Sequence, residues 1–183
     1  TLISYITPQL VPLYFRKGSL EGKHYTVDEA WYTYPKGQSH VKQHCLNRDG
    51  EWSEHHHESP DCNYDMLSIL SLARNWSIAA TGKNASGSPS PLRGKVGERV
   101  FFPMATGKKV ETQTLVYRGK KDWKANDKKT YHCLVFSLLD YEEKKKDKEL
   151  LRFYVTDDSR HMPVRIDFYL KFGTAKAYLA KSN

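Results

Sequence analysis

The sequence predicts a mainly β protein: one large antiparallel sheet that curls or closes into a barrel-like form, with one buried helix near residues 63–80. Three observations carry that prediction. In Met162–Phe172, Val164, Ile166, Phe168, Leu170 and Phe172 alternate with Arg165, Asp167, Tyr169 and Lys171, the period-two pattern of a half-buried antiparallel strand. Aromatic residues make up 13% of the chain and Tyr alone numbers 12, a composition suited to pleated surfaces where the ring packs and the hydroxyl stays wet. Turn residues recur at short, regular intervals, as an all-β chain requires.

The strands follow in order. Leu10–Phe15, Tyr25–Tyr34, His40–Leu46 and Glu51–Glu58 fill the first third, punctuated by Pro35-Lys36-Gly37 and Asp49-Gly50. Val110–Tyr117 reads as a strand through its Val, Thr and Tyr content, ended by Arg118-Gly119-Lys120. Thr130–Leu139 is apolar on both faces, the mark of a central strand, and Leu150–Thr156, Pro163–Phe172 and Thr174–Leu179 complete the set. A flat sheet of this size leaves long edges, so it must curl or close. The exception is Tyr64–Ala80, where Met66, Leu67, Ile69, Leu70, Leu72, Ala73 and Trp76 cover most of a helix's circumference. A short helix apolar all round is buried, and Asp61 or Asn63 can cap its first turn. Gly82–Pro91, rich in Gly, Ser and Pro, reads as a mobile loop within a single domain over residues 1–183.

The chain's net charge is +8, and its positive residues cluster at Arg118–Lys129 and, mixed with acidic residues, at Glu142–Glu149, which read as solvated hairpin tips. One basic and aromatic stretch, Tyr117–Lys124, lacks an oligonucleotide-binding fingerprint, so nucleic acid is not an expected partner. No run approaches the roughly 20 apolar residues of a membrane helix. The three cysteines have no CxxC spacing; Cys133 reads as a core residue, and pairing of Cys45 with Cys62 stays open.

Catalytic signatures are absent: no nucleophile elbow, no HExxH, no P-loop. Asp157-Asp158 before Pro163 reads as a hairpin turn, because Asp accepts bonds from its own local backbone. With Asp49-Gly50 in a two-residue turn, Arg48 pairs with Glu51, so His44 faces His55 and Lys42 faces His57 on one side of the ribbon. His44, His55 and His57 then lie close enough to share a zinc, but Lys42 opposes a cation there, and the expectation is no metal and no cofactor.

Two stretches resemble a known family. The first is Asp65-Met66-Leu67-Ser68 running to Ala73-Arg74, followed by Val100-Phe101-Phe102. The second is Leu151–Asp158, then Met162–Ile166, then Phe172-Gly173-Thr174-Ala175 and Leu179. Together they resemble the bacterial domain of unknown function family 3108, with its Asp-led "D-l-l-S…R" helix and closing "W-x-S-D-D…P-v-r…G-s…L" signature. The likeness covers about Leu10 to Ala180; Tyr154 stands where a Trp is common, and the His-rich hairpin is a departure. The resemblance implies an exported envelope protein of Gram-negative bacteria, similar in architecture to lipoprotein carriers and spiral β-rolls, and supplies no catalytic residue.

The expected function is therefore non-enzymatic binding or carriage of an apolar or amphipathic, lipid-like ligand in the periplasm or at the outer envelope, the signal peptide having been removed. Trp76, Leu70, Leu134, Phe136 and Phe168 are the expected ligand-lining residues, with the helix as a lid. The alternative is a structural or protein-interaction module of the envelope with a filled core and an envelope protein partner. A hydrolase-like enzyme is the minor alternative. Unfilled apolar volume separates the first two.

Overall fold

The structure, a computed structural model, describes residues 1–74, 95–125, 128–140, 148–170 and 173–180. Strands account for 67% of these residues and helix for 8%, so the mainly β expectation holds. The strands form two antiparallel sheets, of five and six strands, and neither closes into a barrel. Residues 1–71 and 102–112 make one compact unit and residues 72–101 and 113–183 the other.

The first unit holds β1 (Leu2–Ile6), β2 (Pro12–Glu21), β3 (His24–Thr33), β4 (Ser39–Leu46) and β5 (Trp52–Ser59), paired in sequence order as a meander. One face of this sheet is the core face. Phe15, Ala30, Tyr32 and Val41 are buried on it with Ala105, and Leu2, Tyr34, Met66, Leu67 and Val110 pack around them. The alternation in β4 is plain: Val41, Gln43 and Cys45 are buried while Lys42 between them is exposed. Gln43 takes its place in the core because its Nε2 donates to the Gly107 and Lys109 carbonyls.

Helix α1 (Met66–Arg74) is where the sequence places it, but its cap is Asp65, not Asp61 or Asn63. The Asp65 Oδ1 accepts from the backbone N–H groups of Leu67 and Ser68 at 2.8 and 2.9 Å, and the Ser68 hydroxyl accepts from the Asp65 N–H at 2.8 Å. This reciprocal arrangement is a capping box with Ser in the return position. Burial pushes the Asp65 carboxyl above the usual carboxylate range, and bonds from Ser68, Leu67 and Ser4 pull against it. The rest of the expected helix, residues 75–80, and the Gly82–Pro91 loop lie outside the described residues.

The six-stranded sheet contains β6 (Arg99–Thr106), β7 (Lys109–Lys124), β8 (Thr130–Asp140), β9 (Lys148–Thr156), β10 (Pro163–Leu170) and β11 (Gly173–Tyr178), neighbours in sequence order. In the second unit β8 is central and buried from Cys133 to Leu139, as its two apolar faces require. One face sets Tyr117 tilted against Phe136 and stacks Phe136 on Phe153, each pair at 5.3 Å between ring centroids. The other gathers Cys133, Val135, Tyr154 and Val164. Arg118-Gly119-Lys120 is not a turn: β7 continues to Lys124 across a bulge between Tyr117 and Gly119. Gly119 adopts φ 93°, and a Cβ there would meet Val96 at 3.1 Å, so the glycine serves a kink rather than a chain reversal.

Strand β10 departs from its alternation. Val164 is buried, Ile166 and Phe168 are half-buried, and Leu170 is 62% exposed; Phe172 lies outside the described residues. A bulge between Pro163 and Arg165 puts Val164 in the cluster of Tyr154, away from Ile166, whose partner is Phe153. Leu170 extends beyond Phe168, where the pairing with β9 ends. Asp167, expected outside, is 3% exposed because Arg165 holds it with two bonds, at 2.7 and 2.6 Å.

Candidate functional site

The outward face of β1–β5 carries a continuous row of rings, one from each strand. Register sets Tyr5 opposite Tyr14 and Tyr14 opposite Trp31. From Trp31 the row steps diagonally to His44 and again to Trp52. The ring centroids are 5.7, 5.5, 6.5 and 4.2 Å apart along the row. Tyr5 is 60% exposed, Trp31 37% and Trp52 49%, so much of this aromatic surface meets solvent. It continues through Tyr25 and Leu20, both exposed. Tyr25 folds over Gly18, its hydroxyl 2.6 Å from where a Cβ would stand, an approach only glycine permits.

The polar groups beside the rings are tied together in pairs. Arg16 reaches Glu29 at 2.9 Å, the Tyr14 hydroxyl donates to the same carboxylate at 2.8 Å, and Arg16 donates to the Tyr25 hydroxyl at 3.4 Å. Lys42 and His56 converge on Glu54 at 2.7 and 2.9 Å. Burial, then Glu29, raises the Tyr14 hydroxyl above its ordinary pKa, and Lys42 holds the Glu54 carboxyl below the usual range. The result is an aromatic surface with a polar fringe that is close to electroneutral.

The histidine hairpin does not have the register that a two-residue turn gives. Leu46 pairs with Trp52, and the loop Asn47–Glu51 is fastened by the Asn47 Oδ1, which accepts from the N–H groups of Asp49 and Glu51, both at 2.9 Å. The pairing is therefore slipped by one residue. His44 lies opposite Glu54, while His55 and His57 lie opposite Gln43 and Val41 on the other face. Among the described residues no group of three or more His, Cys, Asp or Glu side chains is placed to hold a metal. Cys45, Cys62 and Cys133 are all free thiols.

Of the expected ligand-lining residues, Leu134, Phe136 and Phe168 come to one face of the six-stranded sheet, through pairing with Val155, Phe153 and Leu151. Leu134 and Phe136 are buried there, Phe136 between the rings of Tyr117 and Phe153. Leu70 is buried on α1, and Trp76 lies outside the described residues. Asp157-Asp158 forms the expected turn. Asp158 accepts from the Thr156 hydroxyl and from Arg160, which hold its pKa down at about 2, and Asp157 pairs with Lys120 at 2.6 Å.

The aromatic row was not anticipated, although a signal for it exists. Tyr14 and Trp31 fall at the strand parity opposite to the buried Phe15, Ala30 and Tyr32, where polar residues are the norm.

No curated protein and no solved structure matches the chain. A family profile, by contrast, spans nearly its whole length, and the Asp65–Ser68 capping box and the Arg165–Asp167 pair give structural reasons for two stretches that carry the resemblance. With residues 1–180 matched, the chain belongs to the family described as protein of unknown function (DUF3108).

Proposed function

We propose that the protein is a non-enzymatic binding protein of the bacterial cell envelope, and that it works through the aromatic face of β1–β5. The observation that carries this reading is the exposed row Tyr5–Tyr14–Trp31–His44–Trp52 with its ion-paired fringe. Exposed aromatic surface rimmed by polar groups marks sites of recognition, because it gives up water readily and still offers hydrogen bonds. Its ligand is accordingly amphipathic. The interior supports a filled core over a carrier's groove: Phe136, Phe153, Leu138 and Leu151 are each at most 1% exposed. The carboxylates that attract a catalytic reading have structural work, Asp65 in a cap and Asp157 and Asp158 in a turn. The envelope location follows what the family resemblance implies.

Tryptophan fluorescence titrations test the binding face, using a neutral oligosaccharide, a zwitterionic detergent below its micelle threshold, and phospholipid vesicles. A saturable change with one of them, lost in Trp31→Ala/Trp52→Ala, is the expected result. No saturable change with any overturns the reading. Osmotic-shock fractionation of the host tests the location, and recovery from the cytosol alone overturns that part.

A further inference from the structure

We infer that the aromatic row is built for a neutral polysaccharide chain, an inference that rests on the binding face proposed above. The first argument is charge. The protein as a whole carries +8, but this face does not share it: Arg16 and Lys42 stand against Glu29, Glu54 and Glu58. Both cations are already engaged by carboxylates of the same face, at 2.9 and 2.7 Å. A polyanion such as single-stranded nucleic acid or an anionic membrane gains nothing from paired cations and is repelled by the carboxylates.

The second argument is chemical form. A pyranose has a C–H face that packs against an aromatic ring and a perimeter of hydroxyls that each need a donor or acceptor. The face supplies both within one sheet. Rings come from five adjacent strands, and the side chains of Arg16, Lys42 and Glu54 remain between 36% and 48% exposed beside them, open to further hydrogen bonds. Paired charges suit this role, since a hydroxyl can donate to the carboxylate and accept from the guanidinium without either ion losing its partner.

The third argument is dimension. Strands spaced about 4.8 Å apart make a five-strand row roughly 19 Å long. The stride between rings is near the width of one sugar, so successive residues of an extended chain meet successive rings. A compact amphiphile would use one or two rings and leave the rest without a purpose.

Isothermal titration calorimetry with cellohexaose and chitohexaose on the full chain is the test, with oligothymidylate and phosphatidylglycerol vesicles as comparison probes. At least one hexasaccharide binds saturably, its dimer binds more than tenfold more weakly, and Trp31→Ala/Trp52→Ala weakens the hexamer by roughly tenfold or more. Trp31→Phe/Trp52→Phe, which keeps the rings, retains most of the affinity, and circular dichroism and melting curves verify that both variants are folded. Hexamer binding that is indifferent to the Ala substitutions overturns the inference. So does binding of vesicles or oligothymidylate at this face without binding of either sugar, which leaves the binding face standing and changes only its ligand. Silence from every probe overturns the inference, and the binding face itself then falls only if the zwitterionic detergent is silent as well.

Discussion

His44 stacks on Trp52 at 4.2 Å between ring centroids, although strand pairing puts His44 directly opposite Glu54. The contact is diagonal, and it exists because the Asn47 loop slips the β4–β5 register by one residue relative to a two-residue turn. Had the register been the simpler one, His44 would face His55.

The first prediction follows from that contact. His44→Ala removes the stacking partner of Trp52, and the indole becomes more solvated. The tryptophan emission shifts to longer wavelength and stability falls by about 1 kcal/mol, the size of one aromatic pair. Urea denaturation followed by fluorescence measures both.

The slipped register also governs metal chemistry. Since His44 lies on the face opposite to His55 and His57, the three share no ion. Zinc at micromolar concentration leaves the melting temperature unchanged, and His44→Ala does not alter the zinc content of purified protein. Elemental analysis showing stoichiometric zinc that disappears with His44→Ala would refute the placement.

The Asp65 cap separates geometry from charge. Asp65→Asn keeps an oxygen for the Leu67 and Ser68 N–H groups and removes a carboxylate that burial disfavours, so stability changes by less than about 1 kcal/mol. Asp65→Ala leaves those buried donors unpaired and costs about 2 kcal/mol. Chemical denaturation of the two variants side by side makes the comparison.

Arg165 and Asp167 are nearly buried together, with side-chain exposures of 15% and 5%, and the guanidinium also lies 4.3 Å from the Trp123 ring centroid. Asp167→Ala strands the cation and destabilises by about 3 kcal/mol or more. The double variant Arg165→Met/Asp167→Leu recovers most of that loss, since matched apolar groups can replace a buried ion pair at little cost.

The pH dependence follows from Asp158. Its folded pKa of about 2 lies below the ordinary value of 3.8, so its contribution to stability is complete above about pH 4 and is lost as pH falls through 2. Asp158→Asn flattens the stability profile between pH 4 and 2 and leaves the profile above pH 5 unchanged in shape. Melting temperatures across that range, at constant ionic strength, measure the difference.

What the sequence determined by itself was local. Two-sided apolarity in Thr130–Leu139 and the apolar side chains spread around Met66–Ala73 each report burial along a single segment, and each became the element it announced, whereas the alternation of Met162–Phe172 made a strand but did not fix which side chains are buried. The tertiary structure decided everything that depends on pairing between segments. It divided the strands into two sheets, and it moved Val164 across its sheet through a bulge. A slip of one residue sent His44 away from the other histidines, because neighbouring side chains on a strand point to opposite faces and register alone chooses between them. The aromatic row is the plainest case. Tyr5, Tyr14, Trp31, His44 and Trp52 are spread over nearly 50 residues of sequence. No periodicity links them; four successive strand pairings bring them together, and those pairings are set by the turns and by burial of the opposite face.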